Sequence, residues 1–309
     1  MSPIFLDLIT SQVNRSFSMP FQHILAAVDE SVPPNAVLKK SVVLARKCHA
    51  SLTVLKVKRT HNFNLNLLFH RDKSKIMPDD RRKPILAYPD KQYPIRIKEC
   101  LSHSIHNAIV NECSQLDYDL IIVSHKFYPP FFSEFLIADE WQLLRLPNIP
   151  VMFVDLEDWH ENGHVLTALE LDNENTSHLE FNETLIEESK RIATLLSNDL
   201  HLINSYLPDP FYMSFNQQPQ EPVSEREKYK AKLTTVARQH NLNTRNLHIE
   251  EGLPEDTISN EARRLNVNML VMGSAERKGM LSAFKGNAAR NIINKLRTDL
   301  FIVKPRHPH

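Results

Sequence analysis

Glycine is scarce in this sequence, with 5 in 309 residues, and cysteine scarcer still, with 3. Cys48, Cys100 and Cys113 are too few, and odd in number, for a disulfide framework, which fits a reducing cytoplasm. No apolar run approaches the roughly 18 residues that a membrane span requires, so no membrane association is expected. Surplus charge is missing as well: Lys plus Arg and Asp plus Glu each number 37. A chain without excess cations is poorly built to neutralise phosphates, and nucleic acid is not expected as a partner. The densest basic run, Arg81-Arg82-Lys83, follows Asp79-Asp80 and reads as a solvated loop. At the start, Ile4-Phe5-Leu6 is cut by Asp7 with no positive charge before it, unlike a signal peptide. Residues 1–19 are read as an N-terminal extension, with Met19 as an alternative start.

Two chemical signatures are also absent. Without a Cys-x-x-Cys pair, Cys100, His103 and His106, at i, i+3, i+6 of an expected helix, read as ordinary half-buried residues, and no metal is expected. Without a Gly-x-Ser-x-Gly elbow, a serine hydrolase has no support.

What the chain does have is itself, twice. His23-Ile24-Leu25-Ala26-Ala27-Val28-Asp29 recurs as His164-Val165-Leu166-Thr167-Ala168-Leu169-Glu170. Both are apolar runs ending in an acid, as a buried strand ending at a sheet's carboxyl edge should. Asp119-Leu120-Ile121-Ile122-Val123 matches Asn268-Met269-Leu270-Val271-Met272, and Pro150-Val151-Met152-Phe153-Val154 matches Asp299-Leu300-Phe301-Ile302-Val303. The period is too long for a solenoid and suits a duplicated domain.

Helical patterns lie between these strands. Phe181, Leu185, Ile186, Ser189, Ile192, Ala193 and Leu196 keep the spacing of one helix face. Tyr229, Leu233, Val236 and Ala237 mark another helix, and further ones are expected at 38–48, 257–265 and 288–296. Short strands are expected at 52–57, 200–203 and 247–249. Alternation of strand and helix predicts parallel sheets covered on both faces. Between Thr60 and Pro94, four prolines argue against a continuous helix. The first repeat is placed at 20–155, an acidic linker at 156–163, the second repeat at 164–305 and a tail at 306–309. The last strands of the two repeats, at 151–154 and 300–303, are expected to pair with each other and hide their open edges.

Three of the five glycines, Gly273, Gly279 and Gly286, fall in one loop between a strand and a helix. That arrangement presents backbone N–H groups to a phosphate; it also describes a plain structural turn, and geometry leaves both open. The stretch from Gly273 through Glu276 and Gly286 to Asn287, the strand ending in Val28-Asp29, the segment Glu251-Gly252-Leu253-Pro254-Glu255 and the closing 299–305 together resemble the universal stress protein family. Asp139-Glu140-Trp141-Gln142-Leu143-Leu144-Arg145 and Gly286-Asn287 resemble its tandem E type.

The resemblance implies an α/β fold of two tandem universal stress protein domains, Rossmann-like and related to the adenine nucleotide alpha hydrolases. Each would be a five-stranded parallel sheet in the order 3-2-1-4-5, flanked by helices. It implies an adenine nucleotide such as ATP as ligand, with Glu170, Gly273, Gly286 and Asn287 as its contacts in the second repeat. The family's second loop glycine is Glu276 here. A carboxylate about 4 Å from a phosphate charge costs roughly 4 kcal/mol at an effective dielectric near 20. The first repeat's loop, Ser124-His125-Lys126-Phe127-Tyr128-Pro129-Pro130, has no glycine and two residues without an N–H donor. It is expected to bind no nucleotide, and Asp29 reads as a turn residue. Trp141 reads as a packing residue.

The expected function is therefore a cytoplasmic, non-catalytic stress-response module with a degenerate nucleotide loop, folded as an internal pseudo-dimer. The alternatives are an ATP-binding protein, at most a slow ATPase, or a scaffold for a protein or apolar ligand anchored by Phe63, Leu65, Leu67, Leu68 and Phe69. A homodimer remains compatible with each.

Overall fold

The computed structural model describes residues 21–29, 35–59, 93–124, 142–144, 149–172, 175–207, 224–274, 292 and 296–305. The first repeat contributes β1 (His23–Asp29), α1 (Asn35–Cys48), β2 (Ser51–Arg59), β3 (Ile95–Ser102), α2 (Ile105–Cys113), β4 (Leu120–Ser124) and β5 (Val151–Val154). The second contributes β6 (His164–Leu169), α3 (Thr176–Leu196), β7 (Asp199–Tyr206), α4 (Glu225–Gln239), β8 (Leu247–Glu251), α5 (Pro254–Arg264), β9 (Met269–Gly273) and β10 (Asp299–Val303).

All ten strands form one sheet in the order β3-β2-β1-β4-β5-β10-β9-β6-β7-β8. Each half has the order 3-2-1-4-5 and is parallel throughout. The seam is the antiparallel pair β5–β10, with Leu300 opposite Phe153, Phe301 opposite Met152 and Ile302 opposite Val151. Both strands are fully buried, so an unpaired edge here would leave backbone donors and acceptors unsatisfied. The expected pairing across the repeats is what the structure shows.

Two apolar layers cover the sheet and run through both halves. One packs α1, α3 and α4 on one face through residues such as Leu44, Phe181, Ile186 and Leu233. The other packs α2 and α5 on the opposite face through Ile109, Ile258 and Ala262.

Scarce glycine is compensated at the helix ends. Four helices close on a left-handed residue that is not glycine: His49, Ser197, Asn241 and Asn266, with φ between 48° and 57°. In each case the next N–H turns back to an alanine carbonyl, Ala50 to Ala45, Asn198 to Ala193, Leu242 to Ala237 and Val267 to Ala262. This is the closing bond of a Schellman turn. Helix starts are capped more conventionally: Ser104, Asn175 and Ser224 each accept a backbone N–H with the side chain.

One expectation is corrected. Cys100, His103 and His106 do not share a helix: Cys100 lies on β3, His103 in the turn, and His106 in the first turn of α2. From Ile97 to Ser102 exposure alternates residue by residue, with Lys98, Cys100 and Ser102 turned inward, which is strand periodicity, and the Ser104 cap begins the helix only afterwards.

The segment between the repeats is bound on all sides. Asp299 Oδ1 accepts Lys40 Nζ at 2.7 Å and the N–H of Asp155 at 2.8 Å, while Oδ2 accepts Trp159 Nε1 at 2.7 Å. Lys40 also lies over the Trp159 ring, 5.4 Å from its centroid. Asn268 both accepts from His160 N–H and donates to its carbonyl, each at 2.8 Å. Gly163 is required at this point, because a Cβ there would overlap the Asn268 side chain.

Candidate functional site

In an open α/β sheet, ligands bind beyond the carboxyl ends of the strands, where neighbouring connections leave in opposite directions. Two such points exist here, between β1 and β4 and between β6 and β9. At the second, Glu170 follows β6 and Gly273 ends β9. The paired register runs to Thr167 opposite Val271, so the two strand ends lie side by side.

Glu170 is buried, and the turn it opens is tied down by three elements. Its carbonyl accepts Asn182 Nδ2 at 2.8 Å and lies 2.9 Å from His178 Nε2, both on α3. A carbonyl can only accept, so His178 donates from Nε2; that same nitrogen is 3.8 Å from the Glu170 carboxylate. Leu171 N–H donates to Asn204 of β7, and Lys232 of α4 donates to the Leu171 carbonyl. Gly273 has a neighbour that explains it: a Cβ would overlap Cε1 of Phe181, whose ring rests on the glycine. The next residue, Ser274, donates its N–H to Val303. Two strands away, at the end of β8, Gly252 turns the chain into α5 at φ +134°, a conformation that calls for glycine.

The sequence model of the Universal stress protein family matches residues 20–155 and again 178–304. The chain belongs to the universal stress protein family. It is similar to Universal stress protein E of Escherichia coli K12, 24% identical over 298 residues, with 92% of this chain and 94% of the relative covered. It is also similar to the Universal stress protein E homolog of Haemophilus influenzae, 26% identical with 93% and 98% covered. Among solved structures, a protein of unknown function from Pseudomonas aeruginosa PAO1 superposes with a TM-score of 0.70 at 23% identity, covering 94% of this chain and 95% of that one. A universal stress protein from Archaeoglobus fulgidus gives 0.59 at 14% identity, covering 94% and 98%. The doubly wound halves and the sheet order agree with that fold.

Of the universal stress protein residues carried over by resemblance, the structure brings Glu170 and Gly273 to adjacent strand ends. Gly286 and Asn287 lie outside the described residues, as do Glu276, Trp141 and the first repeat's 125–130. Asp29 is buried at the end of β1, matching Glu170 by position. The helix periodicity that marks Phe181 does not reveal its seat on Gly273. Nor does the sequence pattern single out His178, Asn182, Asn204 or Lys232. The available signal was on α3, where His178, Asn182 and Ser189 share the apolar stripe with Phe181 and Leu185 and are buried. Polar residues on a buried stripe must be satisfied, and here the first two satisfy the turn after β6. Among the described residues no helix is long and apolar enough to cross a membrane.

Proposed function

We propose that this chain is a non-catalytic stress-response binding module of the cytoplasm, in which the second repeat carries a weakened adenine-nucleotide crevice and the first repeat acts as its structural partner. The observation that supports this most is the seat of Phe181 on Gly273. The glycine that opens the family loop is accounted for by its packing against the Phe181 ring, with no ligand needed to explain it. Glu276 adds a negative charge to the same loop. Within this reading Glu170, Gly273, Gly286 and Asn287 are the contacts for whatever nucleotide the second repeat retains, and domain limits at 20–155 and 164–305 divide the two roles.

A second reading, ATP binding by the second repeat with at most slow hydrolysis, draws support from buried Glu170 beside Gly273 at the switch point. Calorimetric titration with ATP, of the parent and of Glu276→Gly, separates the two. Binding by the variant alone supports the weakened crevice, whereas tight binding by the parent overturns it. Silence from both favours a scaffold for a protein or apolar ligand, for which the segment 60–94 is the first place to look.

A further inference from the structure

At the opposite, amino-terminal edge of the sheet, the two repeats solve one problem with different chemistry. Glu112 and Glu261 are each the eighth residue of their helices, α2 and α5, and both are buried against the sheet. In the first repeat Glu112 accepts from Lys98 at 2.6 Å and from the Tyr118 hydroxyl at 2.7 Å. In the second, the register places His248 where Lys98 stands: Ile97 pairs with Val54 and Leu247 with Leu202, and the two residues follow. His201 likewise replaces Thr53, two positions beyond the partners of His23 and His164.

The result is a directed chain. His248 Nδ1 is 2.6 Å from Glu261 Oε1, and a carboxylate only accepts, so Nδ1 holds the proton. Nε2 of neutral His248 is then an acceptor, and it lies 2.9 Å from His201 Nδ1, which donates. His164 meets the His201 ring edge-on, with centroids 4.7 Å apart, and its buried Nδ1 has no hydrogen-bond partner among the described residues. A further proton on His248 Nε2 would set two N–H groups against each other. A further proton on His201 would charge a ring held between two imidazoles.

We propose that the His201–His248–Glu261 chain is a proton-operated latch of the second repeat, which opens β7, β8 and α5 in mildly acidic solution while Lys98, Glu112 and Tyr118 keep the first repeat shut.

The groups facing the chain come from every packed element. His164 stands on β6, Asp199 on β7 and Glu250 on β8, while Arg264 on α5 shares Glu261 with His248. Burial, then the fields of His248 and His164, push His201 down to about 4 against the opposite pull of Asp199 and Glu261. Burial also lowers His248, opposed by Glu261. The first repeat's network of Lys98, Glu112 and Tyr118 holds no histidine, so it lacks the trigger.

The test uses the full chain. Histidine nitrogen shifts near neutral pH report the tautomers, and amide exchange at about pH 7.5 and about pH 5, corrected for intrinsic rates, reports opening. Peptides of β7, β8 and α5 are expected to lose protection by roughly tenfold or more at the lower pH, while β2, β3 and α2 change by less than about twofold. His201→Thr with His248→Lys transplants the first repeat's residues and should bring the second repeat's acid response down to the first's. Should that pair fail to fold, the parent's tautomers and exchange pattern still decide. Equal loss in both repeats, an undiminished acid response in the folded variant, or His201 protonated at Nε2 in place of Nδ1 would each overturn the latch.

Discussion

Single residues carry two separable loads here, backbone conformation and fit. Ser197 closes α3 at φ 57° and ψ 44°, a left-handed geometry that costs an L residue roughly 1–2 kcal/mol. Ser197→Gly should therefore raise stability, by about 0.5–1 kcal/mol once the greater unfolded-state freedom of glycine is offset. A urea midpoint that falls would show that the serine side chain matters more than the backbone. Fit governs Gly273. Gly273→Ala drives a methyl into Phe181 and is expected to cost roughly 1–3 kcal/mol, as overpacking does. The same change in a Phe181→Ala background should cost less, because the colliding ring is gone. A double-mutant cycle with no coupling between the two positions would mean that Gly273 is kept for some reason other than this ring.

The elements that join the repeats are held by more than the β5–β10 ladder. Lys40 of α1 and Asp299 of β10 form an ion pair with both side chains almost fully removed from water, and Trp159 and the Asp155 N–H complete the carboxylate's shell. Breaking one partner of such a pair typically costs roughly 3–5 kcal/mol. Lys40→Met should therefore destabilise by about that much at neutral pH and recover part of it near pH 5, where a lone buried carboxyl protonates; equal losses at both pH values would refute the pairing's role. Little of this was visible beforehand. Strands β1, β4, β5 and their counterparts could be read because apolar runs repeat in order and either end on an acid or begin at or after Asp119, Pro150, Asn268 or Asp299. Edge strand β3 could not, since its polar half resembles a turn and its cysteine and histidines invite a helical spacing. Glu170 and Gly273 were legible as strand-end residues. Their supports His178, Asn182 and Asn204 were not, because side chains from three elements converge on one turn only after folding. The histidine chain was hidden for the same reason: His164, His201 and His248 are far apart in sequence and meet through strand register.

Across the whole molecule, two buried groups pull the response to acid in opposite directions. Burial raises Asp299 to about 6, against the pull of Lys40, Asp155 N–H and Trp159, so the folded state binds this proton more tightly than the unfolded chain does. Its contribution is fully present below the unfolded value near 3.8 and is lost as pH rises through about 6. His201 runs the other way. Lowered from 6.5 to about 4, it gives the unfolded chain the greater proton uptake, so its contribution is present above about 6.5 and lost as pH falls toward 4. Each is worth roughly 3 kcal/mol at full extent, and because one sheet joins the halves, global unfolding reports their sum. His248, Glu112, Glu187 and Glu261 are also lowered on folding and add to the His201 direction, so the parent's unfolding free energy should still rise with pH between about pH 4 and pH 6.5, less steeply than it would without Asp299. Asp299→Asn should make stability rise with pH more steeply than in the parent, and His201→Thr should make it rise less steeply or fall. Variants that shift the slope the same way, or that both keep the parent's profile, would show that these two sites do not titrate in opposition.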